Sequence, residues 1–432
     1  MRTGRSGPAA GSGRRWGALA VVATFVTVAA GCTPPGPAAP TGLTASGRTG
    51  QVVLDWDDGP PTVTGYQVAR SSSANGTYTR LTPEPVTVSA YHDTGAPIGT
   101  RAYYRLVAVA AGGATSAPAA ASATAVGSSF GWTSSSPSSS GHYEGAGAVV
   151  GGRVLVFGGY YNSAVQATTS AQAYDAPSAR WTDLEPLPQA LSHQAVAVDG
   201  GRVWLLGGYL GDHPGPSTDA VWVYDTSAGT YQPGPSLPAP RGAGTAAIVG
   251  RTLHFIGGAT RTAGVLDDTD QPEHWTLDLD ASGATWQVGA PLPTPRNHPG
   301  STVLEGRIYV VGGQHGNFEA DQQERAVEVY DPSSGSWTAA APLPVARGHL
   351  MWSVLTYQGH VIVAGGMTNG PVTSALVQAY DPIGNVWVRL AGLPQPRKSA
   401  VVGVVGDRFV VTQGATSVPQ RETWTGRLSV TW

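Results

Sequence analysis

The stretch that decides the fold reads Trp337-Thr338-Ala339-Ala340-Ala341-Pro342-Leu343-Pro344-Val345-Ala346-Arg347. An aromatic residue leads, Leu-Pro follows at plus six and plus seven, and a basic residue stands at plus ten. The same spacing recurs from Trp181 to Leu191, Tyr231 to Arg241, Trp286 to Arg296 and Trp387 to Arg397. Trp132 to His142 keeps the length without the Leu-Pro. The leading aromatics lie 49, 50, 55, 51 and 50 residues apart. A period near fifty means one supersecondary unit per repeat, each too small to bury its own apolar face.

Each unit divides into four short strands. In the second, His193 to Val198 alternates, Asp199-Gly200-Gly201 turns, and Val203 to Leu206 runs into Gly207-Gly208. After a polar loop, Val221 to Asp225 forms the third strand and Tyr231 opens the fourth. Glu305-Gly306 and Gln358-Gly359 suit tight hairpins between first and second strands. Nearly continuous apolar runs fit central strands covered on both faces. Repeated four-stranded units of this length predict an all-β propeller. One period beyond Trp387 falls past Trp432, so the last unit lacks a fourth strand, whereas Trp132 marks one with no unit before it. The count predicts six blades over 130–432, with 130–133 as the outer strand of blade six, paired near Leu428–Val430.

Two further motifs keep phase with the aromatics. Gly-Gly recurs at Gly158-Gly159, Gly207-Gly208, Gly257-Gly258, Gly312-Gly313 and Gly365-Gly366, with Gln413-Gly414 as a degraded sixth. Tyr-Asp follows at Tyr174-Asp175, Tyr224-Asp225, Tyr330-Asp331 and Tyr380-Asp381, with Leu277-Asp278 in the third unit. Gly-Gly, Tyr-Asp, aromatic, Leu-Pro and Arg in that order resemble the kelch repeat over about 300 residues.

The region 39–125 has a different text. Val52–Trp56, Gly65–Arg70, Tyr78–Leu81 and Tyr103–Ala110 read as short alternating strands separated by Gly-, Pro- and Ser-rich turns. It resembles a fibronectin type III β-sandwich, in which Trp56 and Tyr104 are expected to pack between the sheets. A stalk or spacer is its expected role, and 126–129 links it to the propeller.

Arg2, Arg5, Arg14 and Arg15 precede an apolar run from Trp16 to Ala30, which ends in Ala29-Ala30-Gly31-Cys32. Fifteen helical residues span about 22 Å, short of the roughly 30 Å hydrocarbon core. This pattern predicts a secretion signal at 1–31. It resembles a bacterial lipoprotein signal, which implies lipidation of Cys32, with 32–38 as a Pro/Ala-rich spacer; Ala29 departs from the usual larger residue. An ordinary cleaved signal is the alternative. Cys32 is the sole cysteine, so no intrachain disulfide forms. The net charge of −3 gives no reason to expect nucleic acid. The chain is expected to be an extracytoplasmic monomer held at the membrane by its lipid.

The basic ends of the repeats enter the innermost strands, and the loops after Gly-Gly reach the same face. Candidate ligand-binding residues at this channel mouth are His142, Glu144, His193, Arg241, Arg296, His298, Arg347, His349, Arg397, Tyr160, Tyr209 and His315. A polar, aromatic mouth suits a glycan or peptide, and paired arginines suit carboxylates; ring arginines bind acidic peptides in some kelch proteins. A repeated arginine also suits blade-to-blade ties through backbone carbonyls. An enzyme acting on sugar acids, resembling the six-bladed sialic-acid mutarotases, is the alternative, with Glu144 as one half of an acid–base pair. A scaffold in an envelope complex is a third. The copper-radical oxidases of similar fold need a cysteine–tyrosine crosslink, which this sequence lacks beyond Cys32. His193, His298 and His349 enter different units, so the spacing predicts that they stand too far apart for a metal. No cofactor is expected.

Overall fold

The computed structural model describes residues 36–317 and 322–432. The signal and Cys32 lie outside these residues. Every regular element described is a β-strand, and all pairing between named strands is antiparallel.

The first seven strands are β1 (Thr44–Arg48), β2 (Gln51–Asp55), β3 (Val63–Ser71), β4 (Thr79–Arg80), β5 (Ala90–Asp93), β6 (Arg101–Ala110) and β7 (Ala119–Thr124). They form two sheets, β1-β2-β5 and β4-β3-β6-β7. Period-two alternation turns Ala102, Tyr104, Leu106 and Ala108 of β6 inward. They meet Val52, Leu54, Trp56, Tyr66 and Val68 in one core. Trp56 and Tyr104 are both buried there, but the ring against Trp56 is Tyr66, edge-on at 5.2 Å. The Tyr104 hydroxyl instead donates to Asp93 at 2.8 Å, and Arg70 pairs with the same carboxylate.

After β8 (Ser129–Phe130) and β9 (Thr133–Ser135), six four-stranded sheets follow. Their innermost strands are Ala146–Val150, Ala195–Asp199, Thr245–Val249, Gly300–Leu304, Val354–Tyr357 and Val401–Val405. Each touches the next in this order, and the last touches the first, so the strands enclose a central axis. The outer strand of the sixth sheet is β9, paired with Thr423–Gly426. The expected closing strand therefore sits a few residues later than the sequence implied. Phe130 does pair with Leu428, but only in a two-stranded extension. Gly131-Trp132 breaks the two pairings apart, and the Trp132 ring lies where a side chain at position 426 would stand, a place left free by Gly426.

The repeat motif has a physical role at each position. The leading aromatic donates to a carbonyl of the preceding repeat: Trp286 to Pro235, Trp337 to Ala290, Trp387 to Ala341 and Tyr231 to Glu185. The leucines at plus six, Leu187, Leu237, Leu292, Leu343 and Leu393, are buried, each contributing about 2 kcal/mol by leaving water. At plus ten the carbonyl accepts from the second glycine of the preceding sheet, as from Gly208 to Arg241 at 2.8 Å and from Gly366 to Arg397 at 2.8 Å. Gly207 illustrates the need for glycine. Its φ is 61°, and a Cβ would come within 2.3 Å of the Arg241 carbonyl oxygen. Gln413 takes that place in the sixth sheet at φ 59°, and its side-chain oxygen accepts from the His142 amide at 2.6 Å.

The sandwich is joined to the sheets by direct bonds. Thr49 N donates to Thr431 O at 2.7 Å, and Gln51, buried, donates to Asp381 at 3.4 Å.

Candidate functional site

Two residues past each basic position comes one residue per repeat: Glu144, His193, Ala243, His298, His349 and Ser399. All six have positive φ, between 52° and 58°. Their backbones lace round the axis. His193 N donates to Glu144 O at 2.8 Å, Ala243 N to His193 O at 3.0 Å, His298 N to Ala243 O at 2.8 Å and Ser399 N to His349 O at 3.1 Å. At the fourth step Leu350 N replaces His349 N, because a turn at Leu350–Ser353 delays the fifth sheet until Val354.

This ring overturns the expectation that the histidines stand too far apart. His349 Nδ1 donates to Glu144 Oε1 at 2.7 Å, Ser399 Oγ donates to the same oxygen at 2.5 Å, and His193 Nε2 lies 3.6 Å from Glu144 Oε2. The His298 ring stands 4.8 Å from that of His193 and 4.4 Å from that of His349. One ligating atom each from Glu144, His298 and His349 falls within a 4.8 Å span. Residues far apart in sequence meet because every repeat delivers its plus-twelve position to the same axis.

All four side chains are buried. Burial holds the three imidazoles neutral, pushing His193 down to about 3 and His298 well below the ordinary value. For His349, burial again dominates, partly offset by Glu144. His298 Nδ1 is hydrogen-bonded to Asn297 Oδ1 and His193 Nδ1 to Ser192 Oγ.

Beside this cluster opens a cavity of about 210 Å³. Glu144 and His193 reach it from the ring, and Tyr143, Tyr160, Arg261 and Lys398 complete most of its wall. Arg261 makes two bonds to Asp268, at 2.6 and 2.7 Å, and its guanidinium stacks over Tyr209 at 3.7 Å. Its Nη1 makes no hydrogen bond among the described residues. Lys398 Nζ stands 5.8 Å from the Tyr143 ring centre. The cavity therefore presents two cationic side chains beside one carboxylate.

The arginines expected at the mouth point elsewhere. Arg296 is fully buried and bonds Glu328 at 2.5 Å and the Gly312 carbonyl at 2.6 Å. Arg347 bonds the carbonyls of Gly365 and Leu376 and the Gln378 amide oxygen, and burial lowers it to about 9. Arg241 pairs with Glu273 at 2.8 Å and Arg397 with Glu422 at 3.0 Å. Each side chain fastens the basic end of one repeat to the sheet that follows it, while the plus-ten carbonyl bonds back to the sheet before. His142 is buried against Ser140 Oγ at 2.9 Å and held near 4 by burial. His315 sits away from the cavity between Asp270 and Glu324. Tyr160 lines the cavity, and Tyr209 supports it from beneath Arg261. Sequence reasoning passed over Arg261 and Lys398. Both were marked by position: Arg261 follows Gly257-Gly258 in a mouth loop, and Lys398 is the chain's single lysine, one residue past a plus-ten arginine.

Comparison with known proteins agrees with the repeat anatomy. The KLHDC2/KLHL20/DRC7 Kelch-repeats domain matches residues 192–414, and a Kelch motif matches 143–188. The chain belongs to the kelch-repeat family. It is 30% identical to Kelch-like protein 25 of Xenopus tropicalis over 203 residues, 46% of this chain and 33% of the relative. It is 33% identical to spermatocyte protein spe-26 of Caenorhabditis elegans over 176 residues, 39% and 28% of the two chains. Beta-scruin of Limulus polyphemus is 32% identical over 150 residues, 33% and 16%. The matched part spans a third or less of these relatives. Within the family the kelch sheets form a β-propeller, a fold generally used to bind protein partners.

Proposed function

We propose that this kelch protein is an extracytoplasmic recognition protein. Its propeller, of six blades, binds an acidic group of a protein or peptide partner in the cavity at the channel mouth. The carrying observation is the cavity wall itself, where Arg261 and Lys398 stand together and Arg261 keeps an N–H without an acceptor. A buried donor left unbonded costs about 1–3 kcal/mol, which an incoming carboxylate would recover. The sandwich at 39–125 is proposed as a fibronectin type III domain that carries the propeller, and Cys32 as the site of its lipid anchor. The two-sheet pairing and buried Trp56 support the former, the basic, apolar and small-residue sequence the latter.

A second reading keeps the sugar-acid enzyme, because Glu144 and His193 border the same cavity 3.6 Å apart and a positioned acid–base pair is what such chemistry needs. One experiment separates these readings. The purified protein is tested for binding to an array of acidic peptides, sialylated and uronic glycans, and amidated counterparts. Saturable binding of acidic peptides without turnover supports recognition. Preference for a glycan transfers the ligand to that class, proton exchange on a bound sugar acid supports the enzyme, and equal binding of amidated peptides removes the carboxylate argument.

A further inference from the structure

We infer that Glu144, His298 and His349, with His193 beside them, bind one divalent transition-metal ion within the ring at the central axis. Positive φ belongs to all six ring positions, Ala243 and Ser399 included, so it is a property of the repeat. The side chains at these positions are three histidines, one glutamate, one alanine and one serine. The donor set suits zinc and its neighbours, which take imidazole nitrogen and carboxylate oxygen.

Two observations point to a ligand. Glu144 Oε2 and His298 Nε2 are buried and have no hydrogen-bond partner among the described residues, and each such atom is costly to leave unpaired. The spacing also fits. Tetrahedral bonds of about 2.1 Å place donor atoms about 3.4 Å apart. Glu144 Oε2 and His193 Nε2 are 3.6 Å apart, and the Glu144–His298–His349 donors, within 4.8 Å of one another, would close by up to about 1.4 Å round an ion. The surrounding bonds prepare the ligands. With Nδ1 of His298 donating to Asn297, Nε2 keeps its lone pair directed away from that bond. Ser399 Oγ fixes the other oxygen of Glu144. Glu144 and His193 also border the cavity, which gives an ion a path inward. The inference does not depend on the acidic ligand proposed for that cavity.

The test uses tag-free, EDTA-stripped protein titrated with Zn²⁺ and, separately, Co²⁺. One equivalent of zinc is expected to bind, to raise the unfolding temperature, and to displace Co²⁺ that shows the visible absorption of a low-coordinate nitrogen and oxygen site. Glu144→Gln and His298→Ala are expected to weaken zinc binding by about tenfold to a hundredfold or more, whereas Arg251→Gln, at an exposed ion pair between Asp199 and Asp280, retains it. Should either ligand variant fail to fold, the wild-type Co²⁺ spectrum and zinc-dependent stabilisation still decide the matter. Failure of wild type to bind either ion saturably, or folded ligand variants binding as wild type, overturns the inference. Peptide binding measured in EDTA reads the cavity separately, so one proposal can fail without the other.

Discussion

The indole N–H of Trp132 donates to the carbonyl of Gly392, 260 residues onward, at 3.0 Å. This is the bond that each leading aromatic makes to the repeat before it, here made by the first aromatic to the last repeat. Gly414 N supplies a second closing bond, to His142 O at 2.8 Å. Trp132→Phe removes the donor and keeps the ring, so it should lower stability by about 1 kcal/mol in urea unfolding. Trp132→Ala also removes stacking on Phe130 at 4.4 Å and should cost about 2–3 kcal/mol. If Trp132→Ala unfolds at the wild-type urea concentration, the bond has no closing role.

Arg296 is a structural tie. Its replacement by Ala leaves Glu328 buried without its cation, which should remove about 3–5 kcal/mol of stability. A variant that keeps wild-type stability but loses ligand would return Arg296 to the binding surface.

Acid should weaken the third sheet. His254 Nδ1 and His274 Nε2 are 2.8 Å apart and buried. Burial, with each other's proximity acting on His254, holds both near 4. Their folded values lie below the unfolded value of about 6.5, so the unfolded chain binds more protons between these limits. Stability is full above about pH 6.5 and falls as pH drops toward 4, by on the order of 1 kcal/mol per pH unit per histidine. Urea midpoints at pH 7.5 and 5 measure this, and His254→Leu should reduce the difference, the other buried histidines accounting for the rest. An unchanged pH slope in that variant counts against the account.

The sandwich should stabilise the propeller. The sequence predicts a stalk or spacer joined through 126–129, but Gln51 and Thr49 bond across the junction, and His92 is hydrogen-bonded to Gln51. Gln51→Leu leaves Asp381 without that donor and should cost about 1–2 kcal/mol. Propeller unfolding that ignores this change would mean that the sandwich does not stabilise the propeller.

The repeat was legible because its marks are spaced along the chain: aromatic, leucine and glycine each satisfy a local or next-repeat contact at fixed separation. The arginines were legible as a repeated feature but not in direction, since only folding decides whether a guanidinium turns to the axis or into the sheet that follows it. The Glu144–histidine cluster was hidden for the opposite reason. Its members are about fifty residues or more apart, and only the closing of the ring, with each plus-twelve residue at positive φ, makes them neighbours. Arg261 had a visible place in a mouth loop, yet nothing in the sequence ties it to Asp268 and Tyr209 beneath the cavity.

The most direct test of recognition at the mouth is a calorimetric titration of the best acidic peptide into wild type, Lys398→Gln and Arg251→Gln. Lys398 borders the cavity, whereas Arg251 bridges Asp199 and Asp280 at an exposed site. Loss of one charge-assisted contact should weaken binding by about tenfold or more for Lys398→Gln, with Arg251→Gln binding as wild type. Equal affinity in all three proteins would contradict the account.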